Sequence, residues 1–254
     1  MKKAIMLIHG YITSPMDFMP LYEPLYCSYN HIEKVTLPGH EEDGSYKNFK
    51  FDKTIDLLKS TYERLISEYE QLDLIGFSLG GALASYLACN YKFNSVVLLS
   101  PCNKYLRLGF LNKYFHTLNI YKREYKKNLS KDLSKANSYK LKKKDIIKNN
   151  KISMKLGIFH LFPNYTPRTI SVFRRLVKFS NANLKITDTR CLIIWGKLDQ
   201  LVPYRSIKHL KKYFINHKEI IYDDISHLML RSVNYEQVVE DIINFLNVWD
   251  YIMY

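Results

Sequence analysis

Cysteine is scarce in this chain and shows no useful spacing. Cys27, Cys89, Cys102 and Cys191 form no C-x-x-C pair, which argues against a disulfide framework and against a zinc site. Cys89 and Cys191 lie inside apolar segments, where a small buried thiol is the expected role. Long hydrophobic runs are missing too, and none approaches the ~20 apolar residues that cross a bilayer. Met1-Lys2-Lys3 before Ala4 to Ile8 imitates the start of a secretory signal. That apolar run ends after five residues at His9-Gly10, with no small-residue cleavage site, so the expected location is cytoplasmic. Glycine is sparse, nine in 254 residues, and neither G-x-G-x-x-G nor a phosphate loop is present. Acidic residues are depleted in one third of the chain. Between Asn103 and Lys185 only Glu124, Asp132 and Asp145 stand against 21 lysines and arginines, while the remainder carries 17 basic and 21 acidic residues. The net charge of +14 is therefore a local feature.

With 47% hydrophobic residues the chain can bury a sizeable core. Ala4 to His9, Ile32 to Leu37, Asp73 to Phe77, Ser95 to Leu99, Cys191 to Trp195 and Glu219 to Tyr222 read as short, solidly apolar strands, the pattern of strands covered on both faces. Helical patterns alternate with them at Phe51 to Tyr69, Ala82 to Asn90, Arg205 to Phe214 and Tyr235 to Val248. Alternation of this kind predicts an α/β fold, a mostly parallel twisted sheet with helices on both faces. Residues 103–185 interrupt it. They hold helix-like stretches at Phe110 to Leu118, Lys122 to Asn137, Ile146 to Met154 and Pro167 to Phe179, but no convincing strand pair. A segment of about 80 residues needs structure of its own, so a core of 1–102 and 186–254 with an inserted helical lid at 103–185 is expected.

One stretch carries chemistry above all others: Gly76-Phe77-Ser78-Leu79-Gly80-Gly81, set between an apolar strand and a helical run. Flanking glycines allow the close contacts and positive φ that present a serine at a strand's tip. With nine glycines and 18 serines in the chain, a chance G-x-S-x-G has an expectation of roughly 0.02. A serine needs a base and an acid to orient that base. Asp199, in Gly196 to Pro203, and His227, after Ser226, each follow a predicted strand, giving the order Ser78, Asp199, His227. Rivals have weaker contexts. Asp223 and Asp224 come immediately after their strand, with less room to reach back, and His31, His40, His116, His160 and His217 lack a strand-end position. His9 belongs to a turn motif and His209 to a helix face. Ser14 and Ser100 follow strands without flanking glycines, which suggests a hydrogen-bonding or capping role.

Together with His9-Gly10-Tyr11 and Leu37-Pro38-Gly39-His40, these motifs resemble the α/β-hydrolase superfamily, and within it small bacterial carboxylesterases and monoacylglycerol-lipase-like enzymes. Glu41 stands where that family usually has glycine. The resemblance implies Ser78 as nucleophile, His227 as base, Asp199 as its orienting acid, and Gly76 and Gly80 as the elbow glycines. It also assigns an oxyanion hole to the backbone N–H groups of Tyr11 and Leu79. Aspartate-nucleophile dehalogenases and epoxide hydrolases are excluded by Ser78. Short to medium acyl esters or monoacylglycerols are the expected substrates, with no metal or organic cofactor. An acyl-thioesterase and a catalytically idle lipid- or ligand-binding protein are the alternatives. The resemblance also implies that the insertion covers the site, where Leu106, Leu108, Phe110, Leu111, Phe115, Leu156, Ile158, Phe159, Leu161 and Phe162 either line an acyl pocket or pack the lid on the core. For the basic excess, an anionic membrane surface, an anionic substrate or acyl carrier, and solvated lysines without a partner all fit. Nucleic acid is not expected, since no binding motif is visible.

Overall fold

The computed structural model describes residues 2–104, 121–156 and 166–247. Six strands form one sheet: β1 (Lys3–Ile8), β2 (His31–Val35), β3 (Gln71–Phe77), β4 (Ser95–Leu99), β5 (Arg190–Gly196) and β6 (His217–Tyr222). Their spatial order is β2-β1-β3-β4-β5-β6, and every neighbouring pair is parallel. All six were predicted within three residues at either end. The helices are α1 (Met19–Ser28), α2 (Phe51–Glu68), α3 (Leu79–Asn90), α4 (residues 121–128), α5 (Leu133–Leu156), α6 (Pro167–Ala182), α7 (Arg205–Leu210) and α8 (Tyr235–Asn247).

Because side chains alternate across a strand, each strand feeds two cores. Ala4, Met6 and Ile8 of β1 join the layer made with α2, α3 and α6, while Ile5 and Leu7 join the layer made with α1 and α8. α3 lies against the sheet with every residue from Leu79 to Ala88 buried, which is why its sequence is apolar all round. α2 shows the opposite pattern, burying only Thr54, Ile55, Leu58, Thr61 and Leu65 along one stripe.

The segment after β4 touches the core through its last helix. α6 packs on α3 and buries Val172, Phe173, Leu176 and Val177 in the core, so the C-terminal end of the expected insertion serves as a core helix. The expected helix at Phe110 to Leu118, the apolar residues Leu106 to Phe115 and Ile158 to Phe162, and His116 and His160 lie outside the described residues. Where the chain leaves and re-enters the core, Asn103 donates through Nδ2 to Asn181 Oδ1 at 3.2 Å, and Asn181 Nδ2 donates to the Asn103 carbonyl at 2.7 Å. The Lys104 N–H donates to Ser206 Oγ at 3.0 Å, and Thr166 and Thr169 form a capping box at the start of α6. Among the described residues no helix is long and apolar enough to cross a membrane.

Candidate active site

Strand order reverses between β1 and β3, since β2 lies on one side of β1 and all later strands on the other. Crevices at such a switch point, outside the carboxyl ends of the strands, are where parallel sheets bind ligands. The register pairs Ile8 with Gly76, so the loop after β1 and the turn after β3 emerge side by side. A Cβ on Gly10 would stand 3.3 Å from that of Ser78.

Ser78 occupies the tip of β3 with φ 54° and ψ −110°, a strained backbone that persists only where its surroundings over-determine it. Close packing supplies the constraint. A Cβ on Gly80 would lie 1.9 Å from the Ile8 carbonyl oxygen, and one on Gly76 2.6 Å from Ala84 Cβ. These glycines let α3 start almost in contact with β1 and β3. Leu79 is the first residue of α3, so its N–H has no acceptor within the helix, and the positive end of the helix dipole lies beside Ser78. Ser78 is also held through its carbonyl, which accepts the N–H groups of Ala82 at 3.1 Å and Cys102 at 3.0 Å.

His227 reaches the serine from the loop after β6. Its Nε2 lies 3.0 Å from Ser78 Oγ, and its Nδ1 lies 2.8 Å from Asp199 Oδ2. Asp199 divides its two oxygens. Oδ1 accepts the N–H groups of Leu201 and Val202, each at 2.8 Å, leaving Oδ2 to face the imidazole. The loop bearing Asp199 is closed by Trp195 Nε1–H donating to the Val202 carbonyl at 2.9 Å. Phe77 backs the imidazole with ring centroids 5.0 Å apart. Since Nδ1–H donates to a carboxylate, Nε2 is the free lone pair, and the arrangement can take a proton from Ser78 Oγ and later return it.

The sequence-expected residues Ser78, Asp199 and His227 are thus brought together, with Leu79 and the glycines beside them. The rival acids are engaged elsewhere: Asp223 pairs with Lys197 at 2.6 Å, and Asp224 accepts from Asn234 at 2.9 Å. His217 Nδ1 donates to the Phe214 carbonyl at 2.6 Å. Two expectations fail. Ser14 stands at the N-cap of a 3-10 turn without a side-chain cap bond, and among the described residues the buried Ser100 hydroxyl has no hydrogen-bond partner, so neither side chain acts as a cap.

Sequence reasoning missed three neighbours. Cys102 packs against Ser78, and burial drives its thiol far above the ordinary range, so it stays protonated and is no competing nucleophile. Arg231, just beyond His227, binds buried Asp17 at 2.8 Å and ties that loop to the 3-10 turn after β1. Burial raises the Asp17 carboxyl, opposed by Thr13 and Arg231. Third, His40 contacts the loop that carries Tyr11. Cys102 and Arg231 carry no spacing signal, and the motif Leu37-Pro38-Gly39-His40 does not show that His40 bonds a loop 28 residues away.

A family model described as an alpha/beta hydrolase family matches residues 5–241. A search of curated proteins gives no match. Among solved structures, one from work on the metagenome-derived lipolytic enzymes LipS and LipT is 12% identical, with TM-score 0.68, covering 97% of this chain and 94% of that one. An esterase from Exiguobacterium antarcticum is 12% identical, with TM-score 0.63 and coverages of 96% and 92%. A meta-cleavage product hydrolase is 17% identical, with TM-score 0.60 and coverages of 97% and 92%. At these identities the structural likeness speaks for the fold.

Proposed function

The chain belongs to the alpha/beta hydrolase family, and from that premise we propose that it is a serine hydrolase cleaving carboxylic esters through Ser78, His227 and Asp199. One observation carries the reading: a single imidazole bonded to the strand-tip hydroxyl on one side and to a buried carboxylate on the other. Ser78 Oγ attacks the acyl carbonyl carbon while its proton passes to His227 Nε2. The C–O bond to the alcohol then breaks, and the alcohol leaves with that proton. Water adds to the acyl-serine, giving a proton to His227, and collapse releases the carboxylic acid and restores Ser78. Asp199 stabilises the imidazolium and fixes its tautomer. The amides of Leu79 and Tyr11 face the carbonyl oxygen as negative charge develops, and one such donor is worth roughly 3 kcal/mol.

The test is turnover of 4-nitrophenyl esters from acetate to palmitate, with Ser78→Ala and His227→Ala alongside. Loss of turnover in both variants, with the wild type labelled at Ser78 by a fluorophosphonate, is the expected result. Label without ester turnover would move the assignment to an acyl-thioesterase or carbon–carbon hydrolase. Absence of both would leave a binding protein.

We further infer that residues 121–148 address the enzyme to an anionic lipid surface. On α5, Leu133, Lys140, Leu141, Lys144 and Lys148 are exposed and share one face by helical spacing, which buried Ala136 borders on one side. Leu133 and Leu141 are 64% and 61% exposed, and the one acidic residue bordering that face is Asp145, beside three lysines. Clustered lysines gain roughly 1 kcal/mol each near such a surface, and the leucines can seat at its boundary. Sedimentation with phosphatidylglycerol vesicles should fall with salt and in the variant Lys140→Gln/Lys144→Gln/Lys148→Gln, whose soluble-ester turnover should persist. No sedimentation at low salt would remove this reading.

A further inference from the structure

The loop after β1 holds a conformation its own sequence disfavours. Ile12 has φ 56°, in the left-handed region, where a β-branched side chain is a true outlier. Ile12 is 3% exposed, so surface freedom does not explain the geometry. What fixes it is an imidazole from the loop after β2: the Ile12 N–H donates to His40 Nε2 at 3.1 Å. His40 Nδ1–H donates in turn to the Pro38 carbonyl at 3.2 Å, which sets the tautomer that leaves Nε2 as acceptor. The ring is wedged edge-on between Tyr46 and Phe49, at centroid distances of 4.7 and 5.0 Å.

His9 makes the reciprocal connection. Its Nδ1–H donates to the Gly10 carbonyl at 2.8 Å, and its Nε2 accepts the Leu37 N–H at 3.0 Å. Each loop thus receives an imidazole from the other, and the two rings lie 5.2 Å apart. Burial keeps both neutral, with His40 lowered to about 4 and His9 to about 3. A protonated ring would present N–H to N–H at Ile12.

Between the two anchor points lies Tyr11, whose backbone N–H is the proposed second donor to the oxyanion, next to the close approach of Gly10 to Ser78. Its ring is gripped separately, against Phe49 at 5.7 Å and Phe173 of α6 at 4.9 Å. A donor of this kind is effective only when fixed before the charge develops. Resting on the serine-hydrolase reading, we propose that His40 is a positioning residue of the reaction: by accepting the Ile12 N–H it holds the strained turn that aims the Tyr11 amide at the substrate's carbonyl oxygen.

The experiment compares wild type, His40→Leu, His40→Gln, Ile12→Gly and the pair His40→Leu/Ile12→Gly. Turnover of a 4-nitrophenyl ester is expressed per active site, titrated with a fluorophosphonate so that unfolded protein is not counted. His40→Leu should lose on the order of 10²-fold in kcat, with KM within about twofold, since the lost contact acts on the transition state. His40→Gln should recover most of kcat, because its carboxamide oxygen can accept the same N–H. Ile12→Gly should raise kcat in the His40→Leu background, where glycine adopts the left-handed turn without support, yet not in the wild type. Unchanged kcat per titrated site in His40→Leu, or His40→Gln as poor as His40→Leu, overturns the proposal alone. A wild type that neither turns over ester nor takes the label overturns the serine-hydrolase reading with it.

Discussion

Asp199 does two jobs with two oxygens, which makes its amide variant informative. In Asp199→Asn the carbonyl oxygen can keep the N–H bonds of Leu201 and Val202, so the new NH2 faces His227 Nδ1. The imidazole must then accept at Nδ1 and carry its proton at Nε2, toward Ser78, in the wrong tautomer. A fall of about 10⁴ in kcat with nearly unchanged stability is expected, read from ester turnover and thermal melts. The buried histidines set a second expectation. His40 and His9 have folded pKa values below 6.5, so the unfolded chain takes up protons first. Their contribution is complete above about pH 6.5 and is lost as pH falls, by roughly 1.4 kcal/mol per pH unit for each ring, until the folded ring itself titrates. Buried Asp17 and Asp73, raised by desolvation, act in the opposite direction. The comparison of wild type with His40→Gln isolates one ring: the variant should lose Tm less steeply between pH 6.5 and 4, and equal slopes would contradict this. Ser78, Asp199 and His227 were legible because each stands at a strand end beside turn residues. His40 was set aside for lacking that position. Its partner Ile12 lies 28 residues away, and no periodicity connects an imidazole to a backbone amide in another loop.

Elements were legible where apolar periodicity and punctuation agreed. α1 was not foreseen, and it carries two prolines, Pro20 and Pro24, a residue that helix interiors disfavour. It forms nonetheless by burying Leu21 and Leu25 against the sheet and α8, with Pro20 in the first turn, where a missing N–H costs nothing. Pro24 lies inside the helix and deprives the Pro20 carbonyl of its donor. Pro24→Ala is expected to stabilise the protein by about 1–2 kcal/mol in urea unfolding, the helical gain being offset in part by a freer unfolded chain. Two helices were expected between Lys122 and Met154, divided near the lysine run. The break instead falls at residues 129–132, and α5 passes unbroken through Lys140 to Lys144. Asp132 explains the position, since its carboxylate accepts the Lys135 N–H at 2.9 Å and starts the new helix, whereas lysine is a good helix former. At α3 the tolerance is nil. Gly80→Ala would drive a methyl into the backbone of β1, and a loss at or above the top of the ~1–3 kcal/mol range for overpacking is expected by the same unfolding assay.

At the scale of the molecule, β4 and β5 are neighbours in the sheet although some ninety residues separate them along the chain. Closing so long a loop is less costly than it looks. Loop entropy grows only with the logarithm of length, so replacing residues 105–165 with a flexible linker about fivefold shorter changes the closure contribution by only about 1.4 kcal/mol. The two ends are secured independently, by the paired asparagines, Ser206 and the capping box. Such a deletion should therefore keep one cooperative melt within a few degrees of the full chain, and should alter which acyl lengths are hydrolysed; a collapsed or non-cooperative melt would show that the fold depends on the segment. A region whose length and charge the sheet does not police is free to drift. Lineages sharing this scaffold can then send it to new surfaces and new substrates by rewriting one stretch of chain, while the strand tips go on answering to the same strict geometry.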